Sequence, residues 1–209
     1  SLLFVSCGEY QKVLTKGTTQ EQYSYATKMY EAKKYNKALA LFEKITEAYR
    51  SKPQMERIQF MVAQSNLNTK SYDFAGYYFD RFTQNYPRSS KKEEAAYLSA
   101  YSYMLGSPSY SLDPEDTNKA LVSFQKFIDT YPDSDSIQAA NKHYQAIRFK
   151  LEKKAFEIAK GYYTTAGYDS RNYRAAITAF DNLLEDYLGT QFKEEALYYR
   201  LKSAHDLAM

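Results

Sequence analysis

From Ile137 onward, apolar residues fall at every third or fourth position: Ala140, Tyr144, Ile147, Leu151, Ala155, Ile158 and Tyr162. No Gly or Pro interrupts the run before Gly161. The spacing predicts one helix of about seven turns from near Ser136 to near Thr164, with a single apolar stripe. Elsewhere the apolar pattern is shorter, and it returns. "FAGYYFDRFTQNYP" at 74–87 places Ala75, Phe79 and Phe82 ahead of Tyr86-Pro87, and "LVSFQKFIDTYP" places Ala120, Phe124 and Phe127 ahead of Tyr131-Pro132. "AITAFDNLLEDYLGT" carries Ala176, Phe180, Leu183 and Tyr187 in the same order.

Each copy extends backwards. Ala26, Met29 and Tyr35 precede Ala38, which is followed by Phe42 and Ile45; Ala63, Asn66 and Tyr72 precede Ala75. A small residue, an aromatic, an alanine, further aromatics and a proline at these intervals match the tetratricopeptide pattern of paired helices, whose period is about 34 residues. The alanines let two helices approach closely, and the aromatics fill the gap to the next pair. Proline stops the second helix because it cannot donate to the ladder and restricts the residue before it. The expected fold is therefore all-α: a tetratricopeptide-like helical solenoid of about ten helices, without strands, with one long connecting helix.

The equivalent alanines lie 37 (75 − 38), 45 (120 − 75) and 56 (176 − 120) residues apart. The first interval implies a slightly longer helix or turn around Arg50 to Met55. The second reflects "GSPSYSLDPEDT" at 106–117, a loop inserted between the two helices of the third repeat, and the third reflects the long helix. This divides the chain into a leader and tether at 1–17, repeats at 18–135, the connecting helix at 136–164, and a closing repeat with a final helix at 165–209. Capping signals agree: Thr18 or Thr19 with Glu21 or Gln22, Ser90 with Glu93, Asp113 before Pro114, and Asp135 with Gln138.

Charge removes several function classes. The net charge is only +3, with Lys and Glu interleaved, so the clustered basic stripe of a nucleic-acid binder is missing. His143 and His205 are the only histidines, each on a helix without a cysteine or carboxylate at ligand spacing. "PDSDS" at 132–136 lacks the Gly and closing Glu of a calcium loop. No Gly-rich phosphate loop is present, so neither an enzyme, a metal nor a cofactor is expected. Twenty-three Tyr with no Trp suit half-buried packing positions, and a minority suit contact surfaces.

The single cysteine, Cys7, follows the apolar tract Leu2-Leu3-Phe4-Val5-Ser6. That tract is too short to span a bilayer, and the chain starts without Met, which fits a fragment. The stretch resembles the lipobox of bacterial lipoproteins, with Phe4 in place of the usual Leu. The resemblance implies acylation of Cys7, a mature chain starting there, and residues 8–17 as a poorly ordered tether.

The irregular spacing carries a wider resemblance. The inserted Asp113-Pro114 loop, "FQKFIDTYPDSDSIQAA", the long helix ending "LEKKAFEIAKGYY", then "NYRAAITAFDNLLEDY" and "EALYYRLKSAHDLAM" closely resemble the ComL/BamD family. Its members are tetratricopeptide lipoproteins of the outer-membrane β-barrel assembly machinery of Gram-negative bacteria. Leu188 departs from the family pattern, standing where Pro is expected. The resemblance implies a non-enzymatic scaffold, lipid-anchored at the periplasmic face of the outer membrane. It also implies two partners: a BamA-like barrel-assembly protein at the C-terminal repeats, with Arg200 and Lys202 as docking residues, and unfolded outer-membrane proteins at the N-terminal repeats. The alternative is another periplasmic tetratricopeptide adaptor lipoprotein, of a cell-division or glycan-uptake complex. A heptad before the repeats, or surface Trp, would favour that alternative; residues 8–17 are too short for the first and Trp is absent.

In a repeat array the first helices of successive pairs line a concave groove. Counting one turn either side of Ala26, Ala63 and Ala100 gives Tyr23, Thr27 and Tyr30; Phe60, Gln64 and Leu67; and Tyr97, Tyr101 and Met104. The expected groove is aromatic and nearly uncharged, suited either to an extended peptide with alternating aromatics or to packing against neighbouring helices.

Overall fold

The computed structural model describes the backbone of residues 3–209 and the side chains from Gly8 onward. Among the described residues there are ten helices and no strand: α1 (Leu3–Lys16), α2 (Thr19–Glu31), α3 (Tyr35–Tyr49), α4 (Gln54–Asn68), α5 (Tyr72–Asn85), α6 (Lys92–Gly106), α7 (Glu115–Thr130), α8 (Ile137–Thr165), α9 (Arg171–Asp186) and α10 (Lys193–Ala208). Each helix packs on the next in chain order, the arrangement of a solenoid in which every pair touches only its neighbours. This is the all-α, tetratricopeptide-like fold that the spacing predicts.

The repeated alanines sit where the helices meet. Ala26, Ala38, Ala63, Ala75, Ala100, Ala120, Ala159 and Ala176 are all fully buried, as are the aromatics four residues beyond the second-helix alanines, Phe42, Phe79, Phe124 and Phe180. A larger residue at the alanines would push the helices apart, and a smaller one at the phenylalanines would leave a void between pairs.

The joints between pairs repeat atom for atom. Tyr86, Tyr131 and Tyr187 end their helices with nearly the same dihedrals, φ/ψ of −124/67°, −129/58° and −123/68°. Each tyrosine carbonyl accepts from the amide three residues on, that of Ser89, Ser134 or Thr190, at 3.1, 3.1 and 3.0 Å. The hydroxyl of that same residue accepts from the amide two further on, that of Lys91, Ser136 or Phe192. In the third joint Gly189 has φ +77°, the left-handed conformation that a type II turn needs at its third residue. Leu188-Gly189 thus replaces the proline-led turn by another route.

These joints correct two expected caps. Ser90 and Asp135 do not cap; Ser89 and Ser134 take that role. The residues at the cap positions, Lys91 and Ser136, have ψ of 0°, whereas a capping side chain reaches its target only from an extended backbone. Thr18 has that backbone (ψ 160°) and forms the full capping box with Glu21. Asp113 accepts from the Glu115 amide at 3.0 Å, with Pro114 at the cap position rather than inside the helix.

The expected tether is a helix. Tyr10, Val13 and Leu14 of α1 pack on the first core cluster, and the Tyr10 ring lies 6.2 Å from that of Tyr25. The Gln22 side chain donates to the carbonyls of Val13 and Leu14; that of Leu14 is one of the orphan acceptors at the end of α1, while that of Val13 also accepts from the Gly17 amide. Apolar residues at 10, 13 and 14 form one helical face, which finds cover on α2. The side chains of the lipobox-like tract, Cys7 included, lie outside the described residues.

The long helix runs unbroken, as expected. Its first half packs on α7 and its second on α9 and α10. The inserted loop 107–114 is fastened to its middle: Lys150 donates to the Ser107 carbonyl (3.1 Å) and hydroxyl (2.7 Å), Lys154 donates to the Leu112 carbonyl, and the Lys153 ammonium sits 4.6 Å from the Tyr110 ring centre. Burial lowers the Lys150 pKa, consistent with a lysine drawn against the protein. On the other side of α8, buried Glu152 accepts from Arg148 (2.8 Å) and from Thr190 (2.9 Å), while Arg148 also donates to the Leu188 carbonyl. One polar cluster therefore ties the last joint to the strut.

Candidate binding surfaces

The nine groove residues divide into packing and surface. Tyr23 stacks on Tyr49 at 5.2 Å, and the Thr27 hydroxyl donates to the Tyr23 carbonyl of its own helix. Phe60 is buried and meets Phe79 and Phe82 edge-on. Leu67 packs on that same cluster, and Met104 on the next. Tyr97 lies edge-on to Phe124 and Phe127 and stacks on Tyr101, which faces His143 at 5.5 Å. Tyr23, Leu67, Tyr97, Tyr101 and Met104 are thus largely committed to their own helices' packing.

Tyr30, Phe60 and Gln64 are brought together. They line a concavity of about 550 Å³ with Pro53, Met61, Glu56, Arg57, Lys91 and Glu94. The Tyr30 hydroxyl donates to the Gln64 side-chain oxygen, and burial raises the Tyr30 pKa, so the phenol stays protonated and keeps donating. Lys91 sits 5.5 Å from the Phe60 ring centre. The groove is therefore an apolar floor with a mixed-charge rim, not the nearly uncharged surface expected. The charges come from the starts of α4 and α6 and the joint before α6, positions that a count along the helix centres does not reach.

At the other end, Arg200 is ion-paired, with its side chain 41% exposed. Its guanidinium grips both oxygens of Asp181 on α9, Nη2 at 3.2 Å from Oδ2, and this pairing holds the arginine charged. Lys202 is exposed and leans on the rings of Tyr163 and Tyr198. The sequence reading missed the apolar outer face of α10, where Leu197, Tyr198 and Leu201 are 47%, 58% and 70% exposed. The signal was legible: these residues lie opposite the buried Ala196 and Ser203, in a helix with two apolar faces, of which α9 covers the one that carries Ala196.

His143 is half-buried beside Tyr97, Tyr101 and Phe124, and burial, helped by Lys142, lowers its pKa. His205 is exposed beside Asp206. Among the described residues no group of His, Cys, Asp or Glu could hold a metal ion, and no helix is long and apolar enough to cross a membrane.

Comparison with known proteins agrees with this architecture. The chain is 25% identical over 181 residues to the outer membrane protein assembly factor BamD of Rickettsia prowazekii, covering 84% of this chain and 70% of that protein. It is 24% identical over 82 residues to BamD of Helicobacter pylori, covering 39% and 37%. Residues 15–209 match the YfiO family, described as an outer membrane lipoprotein. With all but the first helix inside that match, the chain belongs to the YfiO family of outer membrane lipoproteins.

Proposed function

We propose that this protein is a non-enzymatic scaffold of the outer-membrane β-barrel assembly machinery. It is anchored through an acylated Cys7 at the periplasmic face of the outer membrane and joins two partners held apart by α8. A barrel-assembly protein docks on the α10 face of Leu197, Tyr198 and Leu201, with Lys202 at its edge. Unfolded outer-membrane proteins are received in the concavity of Tyr30, Phe60 and Gln64, whose apolar floor suits a barrel strand with alternating aromatics. The observation that carries the reading is the α10 face: the contiguous exposed apolar residues Leu197, Tyr198 and Leu201 mark an interaction surface, in a chain whose relatives are assembly factors.

The test is capture from envelope extracts with the tagged full-length protein. Leu197→Glu with Leu201→Glu should abolish capture of the barrel-assembly protein while leaving the urea midpoint unchanged; capture at the parental level would remove α10 as the docking face. Tyr30→Ala with Gln64→Ala should weaken binding of a last-strand barrel peptide, measured by titration. Cys7→Ser should move the protein from the membrane to the soluble fraction, because two or more acyl chains give stable anchoring and none remains.

A further inference from the structure

A second groove lies on the opposite face of α4, between α3 and α5. It encloses about 850 Å³. Ile58, Val62 and Asn66 form its floor; Leu39, Glu43 and Arg50 line one wall, and Phe74, Tyr78 and Arg81 the other. The wall positions recur at helical spacing, so two continuous stripes face each other across the α4 floor.

The next repeat shows a narrower, tied version. Between α5 and α7, Tyr103 stands 37 residues (103 − 66) after Asn66 and lays its ring against Gly76 at one end of the corresponding space, leaving concavities of about 200 and 520 Å³ beside it. Lys126 reaches Asp80 at 3.5 Å and Lys119 reaches Asp73 at 3.2 Å, tying wall to wall. The residues equivalent to Asp80 and Lys126 are Glu43, 37 earlier (80 − 43), and Arg81, 45 earlier (126 − 81). Both line the first groove, yet neither forms an ion pair among the described residues. Arg81 leans on the Tyr77 ring and donates to its hydroxyl at 3.0 Å. In place of Lys119 stands Phe74, which is 60% exposed. One groove is tied across by ion pairs and split into smaller concavities; the other is a single wider one, with an aromatic wall and an arginine without a carboxylate.

The open groove is also polar along its length. The Asn85 side chain donates to Gln59 at 3.0 Å, and the Ser71 amide donates to the Asn66 carbonyl at 2.9 Å. These bonds fix the start of α4 beside the end of α5. Leu39, Val62, Phe74 and Tyr78 therefore gather at one end, and Arg50 and Arg81 at the other. Arg50 is shared only with Glu47, one turn back on its own exposed helix face.

We infer that this groove docks an amphipathic helical segment of a partner protein, apolar along one face and acidic in the turn that lies over Arg50 and Arg81. The walls run from residue 39 to 50, about 16 Å at the helical rise, which matches roughly three turns of a bound helix. Two guanidiniums at one end and an aromatic wall at the other select carboxylates and apolar side chains in that order, and fix the direction of the bound segment. Because the site lies across α4 from the Tyr30 concavity, both can be filled at once.

Fluorescence anisotropy on the full chain tests this. The probe is a labelled peptide of about three turns, with Leu and Phe at i, i+3 and i+4 spacing and two Glu in the turn aimed at the arginines; a second peptide carries Lys in their place. The acidic peptide should bind saturably, and Arg81→Glu should weaken it about tenfold or more while strengthening the Lys peptide, as charge complementarity at an interface requires. Asn66→Tyr, which places a Tyr103-like ring at the apolar end, should weaken binding about tenfold or more, and Tyr30→Ala on the other face should leave it unchanged. Arg81 is exposed, so its variant carries the test even if the Asn66 variant fails to fold. Absence of saturable binding, or equal binding by Arg81→Glu, overturns the proposal. So does a concentration-dependent dimer in sedimentation that Arg81→Glu dissociates, because the occupant is then a second copy of this chain.

Discussion

The same substitution, glycine to alanine inside a helix, should have opposite signs at two places in this molecule. Gly161 lies within α8, and a Cβ built there meets nothing within 4 Å. Gly161→Ala should therefore show the helix-propensity gain alone, about 1 kcal/mol of added stability, or roughly 2–4 °C in melting temperature for a chain of this size. Gly76 lies within α5, where α6 comes closest: the Ser99 hydroxyl donates to the Gly76 carbonyl at 2.8 Å. A Cβ there would sit 2.6, 2.7 and 2.8 Å from three carbons of the Tyr103 ring. Ordinary contact begins near 3.4 Å, so the ring or the helix must move by close to 1 Å. The ring cannot simply swing clear, because it is half-buried with Lys119 on it, 5.6 Å from its centre, and burial pushes its hydroxyl pKa up to about 12.

Overpacking of this kind costs about 1–3 kcal/mol. Less the propensity gain of about 1 kcal/mol, Gly76→Ala should be neutral to about 2 kcal/mol destabilising. The two variants should then differ by about 1–3 kcal/mol, the contact term alone. Urea unfolding followed by far-ultraviolet circular dichroism reads both, with the slope checked for constancy so that the midpoints compare. Removing the ring isolates the cause: Gly76→Ala should cost less in a Tyr103→Ala background than in the parent, a coupling between neighbours that a double-mutant cycle detects. If Gly76→Ala stabilises as much as Gly161→Ala, the close approach of α5 and α6 is wrong, and so is the placement of the Tyr103 ring against Gly76.

Lys70 has φ +63° in the turn after α4, a conformation that costs a side-chain-bearing residue about 1–2 kcal/mol. Lys70→Gly should raise the melting temperature by one to a few degrees, net of the greater freedom glycine has when unfolded. Glu152→Ala strips Arg148 and Thr190 of a buried acceptor and should lower stability by about 2 kcal/mol, the range for hydrogen bonds to charged groups, while Glu157→Ala on the exposed side of the same helix should not. His143 has a lowered pKa in the folded state, so the unfolded chain binds its proton first as pH falls. Stability from its neutral form is complete above the unfolded pKa, near 6.5, and is lost below it. The fall in urea midpoint between pH 7.5 and 5.5 should therefore be smaller in His143→Phe than in the parent.

Most of the fold was legible because the alanine–aromatic spacing is dictated by helix-to-helix distance, which leaves no freedom at Ala38, Ala75, Ala120 and Ala176. The long helix was legible for a similar reason: a stripe with no breaker from Ile137 to Leu151 and beyond has only one regular structure that satisfies it. The misread features depend on where the chain turns. Ser89 caps and Ser90 does not because Lys91 is not extended, a dihedral that composition does not carry. Tyr10, Val13 and Leu14 looked like tether because a helix of that length is marginal alone; α2 and α3 supply the cover that holds it. The candidate groove shared this weakness. Counting turns from Ala63 placed Phe60 and Gln64 on one face, but it could not tell that Phe60 would pack on Phe79 and Phe82, and nothing in the sequence pairs Arg200 with Asp181.

The two grooves flanking α4 and the face of α10 acquire meaning from what joins them. Solenoid repeats usually meet through nearest-neighbour contacts, so their relative orientation is soft and small joint motions accumulate along the array. Here α8 belongs to both halves, burying one end against α7 and the other against α9. It is also held at its middle from two sides, by Lys150, Lys153 and Lys154 on the inserted loop and by Glu152 on the last joint. A continuous helix transmits orientation because bending it breaks backbone hydrogen bonds, whereas a turn can rotate at little cost. The extra residues that separate Ala120 from Ala176 beyond a single repeat thus convert a flexible array into a fixed spacer. On the proposed reading as a scaffold this matters more than affinity at either end: two ligands held at set distance and angle would meet at a high effective concentration, and that gain would vanish when the connection loosens.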